Sequence, residues 1–148
     1  MTHNVAIREV AVTPLRQFAR RIRSASALRS FGLFSTRYTR CLNASDDVGE
    51  LGRNVIVYFD QEFNFEAGVQ VSAPFASAGE VRSSHTPSGR AATTVHTGPY
   101  AQLPKAHVAV RAWCAENGHL IEGRNWEVYG HWNDDPAQLS SENFSLLE

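Results

Sequence analysis

Apolar and polar residues alternate with a two-residue period in several short stretches of this chain, and with a helical period in two others. Residues 5–12, 55–60, 65–74, 79–85, 90–95, 126–132 and 143–147 read as strands, rich in β-branched and aromatic side chains and bounded by turn residues. Thr86-Pro87-Ser88-Gly89 has the composition of a hairpin turn between two of them. Leu15, Phe18, Ile22 and Ala25 fall at helical spacing behind Thr13 and Pro14, a good N-cap followed by proline at the first helical position. A second short helix is expected over 28–42, broken near Gly32. Leu103, His107, Val110, Trp113 and Cys114 form the face of another helix, and Asn117-Gly118 stops it.

The pattern repeats. Gly52-Arg53-Asn54-Val55-Ile56-Val57-Tyr58 and Gly123-Arg124-Asn125-Trp126-Glu127-Val128-Tyr129 lie 71 residues apart and share five of seven positions. Upstream, Val10-Ala11-Val12-Thr13-Pro14 and Val95-His96-Thr97-Gly98-Pro99 read as matching strand-to-helix junctions. Two matches in the same order indicate a duplicated strand–helix–strand–strand unit. The expected fold is therefore α+β: a tandem repeat with pseudo-two-fold symmetry. An antiparallel sheet of about eight strands carries two main helices on one face, with a ligand cleft between halves. One domain spans 1–148, with halves of about 1–75 and 76–148.

Composition changes this picture in two ways. With 148 residues, 43% hydrophobic, the chain is long enough for a core. Its net charge of -1 divides unevenly, into +7 over residues 1–45 and -8 over 46–148. The positive part is arginine, concentrated at 16–40; it reads as a solvated helix face or as a site for a protein partner. The acid-free run 10–45 has the composition of a transit peptide, but the strand-like start at 5–12 contradicts one. The expected location is cytoplasmic, with no membrane span and with Cys41 and Cys114 as reduced thiols.

The chemistry is sparse. No HExxH, phosphate loop or GxSxG elbow is present, and neither a cofactor nor a metal is expected. Taken alone, His96 and His107 read as satisfied structural histidines. In 126–132, Glu127, Tyr129 and His131 share one strand face; in the matching strand, Asn54, Ile56, Tyr58 and Asp60 occupy the equivalent one. If the helices cover the other face, this one presents one carboxylate among aromatic rings. Such a surface suits an organic cation through cation–π contact and a partly desolvated counter-charge.

The second half resembles the GyrI-like small-molecule-binding domain, the effector-binding module of AraC- and MerR-type regulators. The resemblance rests on His96-Thr97-Gly98-Pro99-Tyr100, the helix through Leu103 and Trp113, Gly118, Trp126-Glu127-Val128-Tyr129-Gly130, Asp134-Asp135-Pro136 and Ser141-Glu142-Asn143-Phe144. The first half fits through 55–60 and Glu66-Ala67-Gly68-Val69. The resemblance implies a ligand cleft with an acid in its floor. The family's buried glutamate falls on Glu127 and its pocket aromatic on Tyr129. The candidate ligand set is Glu127, Tyr129, Tyr58, His131, Ile56, His96 and Trp126. The function implied is a binder of lipophilic, cationic or aromatic small molecules, in sensing, sequestration or toxin response. The alternatives are a hydrolase of strained electrophiles of cyclopropanoid type, with Glu127 and Tyr129 catalytic, and a gyrase-inhibitor-like or regulator-docking protein. No DNA-binding segment is read beside the fold.

Overall fold

The structure, a computed structural model, describes residues 3–20, 51–60, 64–71, 82–131 and 133–148. The helix expected over 28–42, the arginines from Arg21 to Arg40, Cys41 and Trp132 lie outside the described residues.

Eight strands form one antiparallel sheet: β1 (Ala6–Val10), β2 (Pro14–Arg20), β3 (Leu51–Tyr58), β4 (Phe65–Val71), β5 (Arg82–His85), β6 (Gly89–Thr97), β7 (Ile121–Tyr129) and β8 (Ser140–Leu147). Helix α1 (Leu103–Glu116) joins β6 to β7. The spatial order is β1-β6-β8-β7-β3-β4-β2-β5. β6-β8-β7 on one side mirrors β2-β4-β3 on the other, and β3 pairs with β7 at the centre. There the duplicated positions meet: Ile56 stands directly opposite Glu127, flanked by Val57 opposite Trp126 and Val55 opposite Val128. The pseudo-two-fold axis passes between Ile56 and Glu127.

The chain ends of this sheet force it to curl. β1 is an edge strand and β2 lies six places away, yet only three residues separate them. Six strand spacings in a flat sheet cover about 29 Å, whereas four Cα steps reach at most about 14 Å. The two edges must therefore approach each other. β1–β2 and β5–β6 run antiparallel as one ribbon: Val10 faces Gly89, Pro14 faces His85 and the register carries through the junction. There the Thr86 N–H donates to the Thr13 carbonyl at 3.0 Å, and the Thr13 N–H donates to Thr86 Oγ1 at 2.9 Å.

Two expectations are corrected here. The segment Thr86–Gly89 does not turn a hairpin; β5 and β6 pair with β2 and β1 instead of each other. Gly89, at φ 129, bends the chain between them in a conformation that other residues rarely adopt. Residues 14–20 form a strand rather than the start of a helix, because β4 and β5 satisfy its backbone on both sides. Pro14 sits at the strand's first residue, a place where the missing N–H is tolerated. The junctions at Pro14 and Pro99 are thus not equivalent. β2, not the segment before it, is the counterpart of β6, and among the described residues there is one main helix.

Inside the curl, Leu15, Val55, Val57, Ala91, Trp126, Val128, Phe144 and Leu146 form the largest apolar cluster. Trp126 stacks parallel on Phe144 with centroids 5.0 Å apart. On the outer face, Ala92, Val110, Cys114 and Leu147 pack α1 against β6 and β8. No helix among the described residues is long and apolar enough to cross a membrane.

Candidate functional site

The strict alternation of β7 sends Trp126 and Val128 inward and Glu127 and Tyr129 outward, to the side that carries α1. The sequence-based expectation put the carboxylate on the face opposite the helices; the structure reverses it. The curl already covers the inner face, so the helix and the acid share the outer one. β3 contributes Ile56 and Tyr58, and β4 contributes Phe65 and Ala67.

Glu127 is 4% exposed and engaged by three donors or potential donors. His107 Nε2 lies 2.7 Å from Oε1. The Tyr129 hydroxyl donates to Oε2, and the Tyr58 hydroxyl donates to the same oxygen at 3.4 Å. A carboxylate taken out of water needs such partners, since its desolvation is otherwise uncompensated. Each partner is aimed by its element. Tyr129 follows Glu127 by one strand period, and Tyr58 is its counterpart in the repeat. His107 projects from α1, which is fastened by buried Leu103, Ala106, Val110 and Cys114. The start of α1 is set by Gly98 at φ 125, whose N–H donates to the Leu139 carbonyl at 2.8 Å, and by a 3-10 turn at Tyr100–Gln102.

Aromatic rings wall this acid. Tyr58 meets Phe65 at 5.9 Å and His107 edge-on at 6.4 Å; Tyr100 meets Tyr129 edge-on at 5.2 Å. Burial, and next the charge of Glu127, push the hydroxyls of Tyr58 and Tyr129 far above the usual tyrosine range. Burial alone raises Tyr100. A tyrosine whose folded pKa is raised contributes stability below its unfolded pKa, about 10, that is lost as pH rises toward the folded value. An alkaline titration followed by tyrosinate absorbance should therefore lag that of the urea-unfolded chain. The missing signal should appear together with loss of structure. Coincident titrations in the folded and unfolded chain would show that Tyr58 and Tyr129 are open to water.

Of the sequence-based candidates, the fold brings together Glu127, Tyr129, Tyr58 and Ile56. His96 is buried on the same outer face, but its Nε2 is 3.2 Å from the Pro99 carbonyl and its ring stacks on His3; it braces the approach to α1. His131 lies beyond the end of β7 and is exposed. Trp126 points to the other face, onto Phe144. Five residues about the site lay outside the sequence-based set: His107, Tyr100, Phe65, Asn143 and Ser141. His107, read as structural, contacts Glu127 directly; its place on an apolar helix stripe, one turn after Leu103, was the available signal. Asn143 stands opposite Glu127 on β8, wholly buried, and among the described residues its amide has no hydrogen-bond partner; nor has the Ser141 hydroxyl, opposite Tyr129. Among the described residues no group of three or more His, Cys, Asp or Glu could hold a metal ion.

The arrangement is a buried carboxylate with polar donors beneath aromatic edges. Structural relatives share its framework. The chain aligns with the isolated C-terminal domain of EcmrR at a TM-score of 0.80 and 23% identity, covering 100% of this chain and 99% of that one. Against EcmrR in its DNA complex with RPo the TM-score is 0.84 at 20% identity, and this chain spans 58% of that protein. SAV2435, solved bound to tetraphenylphosphonium, aligns at 0.66 and 10% identity, over 98% of this chain and 94% of that one. No curated protein sequence matches. The GyrI-like small molecule binding domain matches residues 56–143, which run from the end of β3 through β4, β5, β6, α1 and β7, with Glu127, into β8. The chain belongs to the GyrI-like small molecule binding domain family.

Proposed function

We propose that this domain binds a lipophilic organic cation, with Glu127 as counter-charge and Tyr58, Tyr129, Tyr100 and Phe65 as aromatic wall, in sensing or sequestration of such compounds in the cytoplasm. The observation that carries this reading is the buried Glu127 carboxylate among those rings. A cation over aromatic faces gains from the ring quadrupoles, and a desolvated carboxylate adds charge attraction that water does not screen. The tetraphenylphosphonium complex of the structurally similar SAV2435 supports the ligand class. Glu127→Gln keeps the shape and removes the charge. It should weaken tetraphenylphosphonium binding by about tenfold or more, a loss of about 1.4 kcal/mol or more, measured by calorimetry. Equal affinity in both proteins would sink the reading.

A hydrolytic role is the second reading, favoured by the direct His107–Glu127 contact, which could serve to activate water. Both oxygens of that carboxylate are already engaged, Oε1 by His107 and Oε2 by the two tyrosines, and that weighs toward binding. Turnover of a strained cyclopropane-type electrophile that disappears in Glu127→Gln would decide for hydrolysis.

A further inference from the structure

The carboxylate of Glu127 has a partner that can itself carry a positive charge. His107 Nε2 and Glu127 Oε1 are 2.7 Å apart, with side chains 12% and 5% exposed. Among the described residues, the other groups around them do not supply that charge. Tyr58 and Tyr129 are neutral donors held protonated by burial, and Tyr100 touches Tyr129 only by its edge. From β8, Ser141 and Asn143 face the site and are neutral, while Glu142 turns the other way toward Arg8 and Arg53. From β6, His96 is engaged by the Pro99 carbonyl and His3. On α1 itself, Lys105 and Arg111 are exposed. Arg16 lies on β2, three strands from β7.

We infer that a proton and a cationic ligand compete for Glu127 through His107, so that uptake of the ligand at acid pH expels one proton. The inference rests on the cation reading above and makes His107 the residue that sets when the site accepts charge. With the imidazole protonated, the pair is balanced, and a second cation would place two positive charges on one buried carboxylate. With the imidazole neutral, its N–H still donates to Oε1, but the negative charge is left for the ligand. As rising pH strips the imidazole of its proton, binding should tighten from mildly acid to mildly alkaline solution and then level off. A competing proton changes the apparent Kd by up to about tenfold per pH unit on the acid side.

Tetraphenylphosphonium is titrated calorimetrically into the full chain across that range, in two buffers of different ionisation enthalpy. The wild type should lose affinity toward acid pH, with up to about one proton released per cation bound. His107→Gln, which can donate a hydrogen bond but cannot be charged, should bind independently of pH and release no proton. His107→Lys, charged throughout, should bind weakly at every pH. A wild-type Kd that does not change with pH, or a slope retained in His107→Gln, overturns the inference and leaves the cation reading standing. Absence of tetraphenylphosphonium binding by the wild type and His107→Gln at any pH overturns both.

Discussion

Replacing Trp126 by alanine should unfold the chain under milder conditions by about 3–5 kcal/mol, the usual cost of emptying a large aromatic site in a close-packed interior. Trp126 is 3% exposed and lies flat on Phe144, inside the curl, among Val55, Val57, Val128 and Leu146. For a chain of this length the melting temperature should fall by roughly 10 °C or more. Trp126→Phe, which keeps the stacking partner, should recover much of the loss. Urea unfolding of the two variants is the check. A deficit below about 1 kcal/mol for the alanine variant would place Trp126 outside the core.

Ile56→Glu should be nearly as costly at neutral pH, for an electrostatic reason. Ile56 is 1% exposed and directly faces Glu127 across β3 and β7, so their Cβ atoms are about 5 Å apart. The substitution would make the axis symmetric in charge, with two carboxylates sharing partners that serve one. An uncompensated buried charge costs about 3–5 kcal/mol. The pair's proton affinity rises, since two like charges this close cannot both ionise cheaply. A carboxyl whose folded pKa is raised gives stability at low pH that is lost as pH rises through the folded value. The deficit should therefore shrink in mildly acid solution. Ile56→Gln, similar in shape and uncharged, should show a smaller and pH-independent loss. Equal stability of the two variants at neutral pH would mean that residue 56 does not face Glu127.

Much of the site was legible in the sequence, because one strand period fixes which neighbours share a face. Glu127 and Tyr129 follow from alternation in β7, and Ile56 and Tyr58 from the 71-residue match with β3. Trp126 belongs to the opposite phase by the same rule. Which phase meets the helix is not a local property. It depends on the curl, and the curl depends on β1 pairing with β6 and β5 with β2, partners far apart in the chain. For the same reason Leu15 and Phe18 looked helical: a three-residue spacing does not record that β4 and β5 wait on either side. His107 was visible as a polar residue on an apolar stripe, but only packing shows that its reach ends on Glu127. Ser140 to Asn143 are polar throughout, so the pattern neither marks Asn143 and Ser141 as buried nor records that they lack partners among the described residues.

The ribbon joined at Thr13 and Thr86 also bears on how such a duplicated chain folds. Each repeat lends its first strand to the other: β1 completes the sheet beside β6, and β5 completes it beside β2. Neither copy can finish its own sheet, although each carries its own strand–turn signals. The edges close only after both have been made, so the slowest contacts to form are those of greatest sequence separation, and the chain carries a high contact order for its size. The duplicated chain should therefore fold as one cooperative unit rather than two, with the axis where Ile56 meets Glu127 assembled only when both copies are in place.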